Sequence, residues 1–294
     1  MGDVARTFEW RWAGTTVPVG YDVRGEGAAI LLLPAFSTVS TREEMAPLAT
    51  KLAGSYRTVA ADWPGFGRLA APKLTHSPGL HFAFLTAFFD AVIGGPAAVV
   101  AAGHAAGYVL SLARQRPGVW SRIVLVAPTW RGPLPTMMGG YRALEDRIRA
   151  AISAPGVGPA LYRLNVAKPI IAAMYRRHVY ADPDRVTAEL LDLKAAVARR
   201  PGGRFSSAAF VTGGLDPGRD RQSFLALASP LAASILIVYG ADTPPRSRAE
   251  MEALAALPGI ESCRLEVGSL GIHEEAAGAV IAAIGPFLRR APSH

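Results

Sequence analysis

Residues 99–108 read Val99-Val100-Ala101-Ala102-Gly103-His104-Ala105-Ala106-Gly107-Tyr108, an apolar run, then a turn spaced by small residues, then the opening of a helix. Val99 to Ala102 has the continuous apolar character of a strand covered on both faces. Gly103, Ala105 and Gly107 alternate with other residues, and that spacing lets a strand reverse into a helix without side-chain collision. The central residue of that spacing is Ala105, whose side chain is a methyl.

Working outward, short apolar runs of strand length recur at Ala28 to Leu33, Tyr56 to Ala61, Ile123 to Ala127, Ser234 to Tyr239 and Ser262 to Val267. Helical stretches fall between them, at Arg42 to Ala53 with Thr41 as cap, His81 to Ile93, Ala106 to Arg116, Ser247 to Ala256, and a last one ending at Arg289. This alternation predicts an α/β fold with a mostly parallel sheet and helices on both faces. Thr7 to Trp12 and Thr16 to Val23, separated by Ala13-Gly14, predict an antiparallel pair at one edge. From Pro133 to Leu225 the pattern changes to helices broken at Pro155-Gly156, Pro183 and Pro201-Gly202-Gly203. The reading is a core made of residues 1–130 and 226–294 with a helical cap, 131–225, inserted between two strands.

The chain has 294 residues, half of them apolar and 18% charged, enough to bury a large core. Its net charge is +8, and the cap segment alone holds 15 Lys or Arg against 8 Asp or Glu. No run of consecutive cations resembles a nucleic-acid arm, so a nucleic-acid partner is not expected. The basic stretch Tyr162 to Arg177 suits an anionic membrane surface as well as a solvated helical face. Cys263 is the single cysteine. It allows no intrachain disulfide and no Cys/His metal spacing, and a reducing, cytoplasmic location is expected. Met1 to Trp12 lacks the apolar stretch of a secretory signal, and no apolar run is long enough to span a bilayer.

The turn at 103–107 resembles the nucleophile elbow of the α/β-hydrolase superfamily, with alanine where the nucleophile stands. Pro34-Ala35-Phe36 after an apolar strand, Asp62-Trp63-Pro64-Gly65-Phe66-Gly67, and Gly271-Ile272-His273 fall in the order this resemblance requires. It implies an eight-stranded sheet with an inserted helical cap, Ala105 at the nucleophile position, and His273 as general base in the loop after the last strand. Asp242, after Ser234 to Tyr239, is the implied acid, although an Asp before Thr243-Pro244-Pro245 equally suits a turn or cap. The backbone amides of Phe36 and Ala106 are the implied oxyanion hole. His-Gly is usual in the superfamily where this chain has Pro34-Ala35. Ser37 and Ser40 are expected to bond local backbone, and His104 to pack away from the site. Glu274, adjacent to His273, is poorly placed to orient it.

Three functions stay open at this level. One is a serine hydrolase acting on an ester, thioester or amide, inactive or nearly so because Ala105 replaces its nucleophile. Another is a lyase, isomerase or cofactor-independent oxygenase using His273 as base, and the third is a non-catalytic binder of small ligands. The expected partner is a small hydrophobic molecule, with an acidic group allowed; no cofactor is implied, and the sequence does not set the oligomeric state.

Overall fold

The computed structural model describes residues 4–139 and 142–290. Strands β1 (Val4–Trp12), β2 (Thr15–Arg24), β3 (Ala29–Leu33), β4 (Arg57–Ala61), β5 (Ala97–Ala102), β6 (Trp120–Val126), β7 (Ser234–Gly240) and β8 (Ile260–Leu265) form one sheet. Its order is β1-β2-β4-β3-β5-β6-β7-β8. The β1–β2 and β2–β4 pairs are antiparallel, and every pairing from β4 through β8 is parallel.

Apolar content follows position in the sheet. Central β5 is buried along its whole length, as are Ile30 to Leu33 of β3, because helices cover both faces. Edge strand β8 alternates with exposed residues. At the other edge, Phe8 and Trp10 of β1 turn inward and make edge-on contacts with Phe88 and Phe84. Each such ring contributes on the order of 1.5–3 kcal/mol by leaving water.

The core helices are α1 (Ala46–Leu52), α2 (Pro78–Phe88) and α3 (Ala105–Gln115). The insertion follows as α4 (Pro133–Met138), α5 (Arg142–Ser153), α6 (Val157–Asn165), α7 (Lys168–Met174), α8 (Ala188–Ala198) and α9 (Gly203–Val211). Next come α10 (Arg221–Ala228), α11 (Pro245–Ala255), α12 (Ile272–Glu275) and α13 (Ala277–Arg289). α1 packs with α13, while α2, α3 and α10 pack together.

Two helices differ from the sequence reading for local reasons. The stretch 42–53 splits into a 3-10 turn, Arg42–Met45, and α1, because Pro47 has no N–H to continue the earlier turn. α2 starts at Pro78, where the Ser77 hydroxyl accepts from the Leu80 amide at 3.2 Å, and it loosens into a π-turn over Phe89–Ile93. The cap boundary drawn at 225 runs through α10, whose Phe224 joins the main core.

The insertion has its own buried cluster, including Tyr162, Val166, Ile171, Tyr175 and Tyr180, and Val39 from the loop after β3 belongs to it. Arg200 fastens the two parts: its guanidinium donates to Thr38 O at 3.2 Å and to Gly65 O, both in the core.

Candidate functional site

The bend between β5 and α3 is sharpest at Gly103, which has φ of +53°. Its N–H donates to Val126 O at 2.9 Å, and its carbonyl accepts from Thr129 N at 3.1 Å and Ala106 N at 3.2 Å. His104 is already helical, and Ala105 opens α3 with no exposed surface. The apex therefore lies two residues before the expected Ala105. Small residues alternate in both registers, Ala101-x-Gly103-x-Ala105 and Gly103-x-Ala105-x-Gly107. A left-handed backbone is free for glycine but costs alanine roughly 1 kcal/mol, so the first register wins. A Cβ at Gly103 would sit 2.9 Å from the Ala35 Cβ and 3.7 Å from the Thr129 Oγ1, between the loops that follow β3 and β6.

The oxyanion reading changes with the apex. Ala106, expected to offer a free amide, instead donates to Gly103 O within the turn. Among the described residues neither the Phe36 amide nor the His104 amide donates a hydrogen bond. One belongs to the residue after Ala35, whose Cβ is the nearest atom to a side chain built at Gly103, and the other to the residue after the apex.

Around them the packing is aromatic, with the Asp216 carboxylate 3.4 Å from His104 Nε2. The Phe36 ring stacks on Trp63 at 4.5 Å and Tyr108 at 5.2 Å, and meets His81 at 5.0 Å edge-on. Phe210 from α9 meets the His104 ring at 5.5 Å. His104 Nε2 and Tyr108 Oη both bond Leu215 O, at 3.0 and 2.7 Å. Burial lowers His76 and His104 to about 4, and His81 well below its ordinary value. All three rings are therefore neutral near pH 7, and His76 Nδ1 lies 3.3 Å from His81 Nε2.

His273 lies in α12 rather than in the preceding loop, and it is buried. Its Nε2 is 3.7 Å from Glu44 Oε2. Asp242 is exposed in the turn after β7, where its amide donates to Gly268 O at 3.2 Å. Among the described residues no hydrogen bond or ion pair joins Asp242 to His273, so the structure does not assemble these two with Ala105. Ser37 behaves as expected of a loop serine, its Oγ accepting from Val39 N at 3.4 Å, while the Ser40 main chain donates to Ser37 O and accepts from Gly67 N, each at 3.3 Å.

The ionised groups gather elsewhere, at the seam between cap and core. Lys194 of α8 donates to Glu44 Oε1 at 2.6 Å and to Glu274 Oε1 at 3.2 Å. Burial opposes the Lys194 charge, yet Glu44, Tyr175 and Glu274 raise its pKa well above the ordinary value. Burial likewise opposes Glu44, but Lys194 and His273 hold that carboxyl below its usual range. Burial and Glu44 together raise Glu274. A cavity of about 100 Å³ opens here, bordered by Thr41, Glu44, Lys194 and Glu274. Sequence reasoning missed Glu44 and Lys194. A signal existed for Lys194, which shares the α8 stripe of Leu190, Val197 and Ala198 where a cation is out of place. Asp62 is also buried, accepting from Arg42 N at 2.6 Å and Arg42 Nη1 at 2.7 Å. Burial pushes its pKa up to about 6 against the pull of Arg42. Among the described residues no three His, Cys, Asp or Glu side chains group as a metal site needs.

A mostly parallel eight-stranded sheet that turns at β5 directly into α3, beneath helices inserted after β6, defines the class: the α/β-hydrolase fold. The family model described as "Alpha/beta hydrolase family" matches residues 30–283, and the chain belongs to that family. Among solved structures it is similar to a thermophilic esterase from Thermogutta terrifontis, at 16% identity over 99% of this chain and 100% of the other, with a TM-score of 0.74. It is also similar to Cfl2 from Burkholderia cenocepacia (19% identity, 98% and 96% covered, TM-score 0.75). A third likeness is the epoxide hydrolase VrEH1 from Vigna radiata (18% identity, 98% of each chain, TM-score 0.70). At these identities the likeness is one of fold. No curated protein matches the chain.

Proposed function

We propose that this chain uses the hydrolase fold without an acyl-enzyme step, holding a small molecule by a carbonyl or carboxylate oxygen at the amides of Phe36 and His104. One observation carries the reading: the apex of the elbow is Gly103, where no side-chain atom exists to attack a substrate. Two amides without partners among aromatic rings suit an oxygen acceptor attached to an apolar body. The alternative of a serine replaced at 105 is weakened by the burial of Ala105 inside the first turn of α3. A hydroxyl added there would face packing rather than ligand.

The test sets the unaltered chain beside Ala105→Ser, using a fluorophosphonate probe, a p-nitrophenyl ester and a series of aryl and alkyl carboxylates. The expected result is no labelling and no hydrolysis by either protein, with carboxylates raising the melting temperature of the unaltered chain. Labelling of Ala105→Ser, or ester turnover by the unaltered chain above background, would overturn the reading.

A second reading has the 3.7 Å approach of His273 to Glu44 in its favour. In it His273 acts as a base oriented by a buried carboxylate, and any turnover found is abolished in His273→Gln.

A further inference from the structure

The cap carries an outward face that its own packing leaves uncovered. On α6, Val157, Leu161 and Leu164 are 65%, 42% and 68% exposed, and Ile170 on α7 is 48% exposed. The first three fall at i, i+4 and i+7, one stripe of the helix. The buried residues Gly158, Tyr162 and Val166 form a different stripe, which faces the cap interior. α6 thus has two apolar faces, and only one is spent on folding.

The segment that carries this stripe, residues 147–181, is charged by cations alone, and carboxylates reach those cations from outside it, Asp146 at Arg149 and Asp192 at Lys168. Between Asp146 and Asp182 the sequence holds six cations, Arg147, Arg149, Arg163, Lys168, Arg176 and Arg177, and no Asp or Glu. Lys168 is paired with Asp192, and Arg149 reaches inward to Thr212 Oγ1 at 2.7 Å. Arg163 on α6 and Arg176 and Arg177 in the π-turn after α7 are exposed, and none pairs with a carboxylate among the described residues. A second copy of this chain would bring like charge against like charge at such a face. An anionic bilayer would accept both features together, taking the leucines into the headgroup boundary and the guanidiniums onto lipid phosphates. No described helix is long and apolar enough to cross a membrane, so contact through this face is peripheral.

We infer that the α6–α7 face of the cap is a docking surface for anionic lipid bilayers. Docking there sets the cap against the membrane plane.

The experiment is sedimentation of the full chain with vesicles of phosphatidylcholine alone and of phosphatidylcholine mixed with phosphatidylglycerol. The expected result is binding to the mixed vesicles only, weakened roughly tenfold or more by raised salt. Two independent variants, Leu161→Asp with Leu164→Asp, and Arg163→Glu with Arg176→Glu and Arg177→Glu, each lose at least roughly tenfold in binding. Arg6→Glu with Arg11→Glu and Arg264→Glu, three exposed reversals on the edge strands β1 and β8, leaves binding intact. All altered residues are exposed, and a melting curve for each variant confirms folding. Failure of the unaltered chain to bind mixed vesicles would overturn the inference, as would equal binding to neutral vesicles or full binding by either variant. A concentration-dependent dimer that Leu161→Asp with Leu164→Asp abolishes, without vesicle binding, would overturn it in favour of self-association.

Discussion

Two regions beneath the cap have opposite characters. Around Gly103, where this fold places reacting groups, the chain offers glycine, alanine, aromatic rings and three neutral histidines. At the seam near Glu44, it buries Lys194 between two carboxylates with His273 alongside. The first region keeps the steric form of an elbow and carries no nucleophile. The second holds the strongest buried electrostatics of the cap–core contact, contributed by residues that no elbow motif specifies. Backbone geometry and charged side chains have separated here, so resemblance in one does not carry the other.

The separation can be broken most forcefully at the seam. Lys194→Met leaves Glu44 buried without its cation, and the expected cost is about 3–5 kcal/mol of unfolding free energy, measured by urea denaturation. Adding Glu44→Gln to Lys194→Met should recover much of that loss. No recovery would mean that Lys194 acts through packing rather than charge.

Next in size is the aromatic region's sensitivity to acid. His76 and His104 have folded pKa values of about 4 against 6.5 when unperturbed, so between these limits the unfolded chain binds more protons than the folded one. Stability is therefore full above pH 6.5 and falls as pH drops toward 4, by ~3 kcal/mol per histidine. Asp62, with its pKa raised to about 6, works in the other direction and offsets part of the fall. His76→Gln should flatten the pH dependence of the melting temperature, and an unchanged slope would remove His76 as a cause.

The smallest expected effect sharpens the comparison at the elbow. A methyl on Gly107 would collide with the Pro217 ring, so Gly107→Ala should cost about 1–3 kcal/mol by displacing the segment after α9. Gly278→Ala, on α13 where an added methyl meets nothing, serves as the control.

The strand runs and the period change after β6 were legible because buried parallel strands must be continuously apolar and inserted helices must not be. The apex was misplaced by two residues because an Ala/Gly-rich turn satisfies the small-residue spacing in two registers, and only the left-handed backbone distinguishes them. His273 was legible as a base in the loop after the last strand, not as a buried residue of α12 and not in its partner. Glu44 lies far from it in sequence, in a 3-10 turn with no periodicity to mark which side chains face inward. Lys194 was hidden for a different reason: a single cation in a helix ordinarily reads as solvated.

The carbonyl of Leu215 accepts from both His104 and Tyr108. Lifting the segment that bears it would strand an imidazole and a phenol together in a dry interior. Two buried donors, four residues apart in the chain, thus hang on one acceptor, and its loss costs both bonds together.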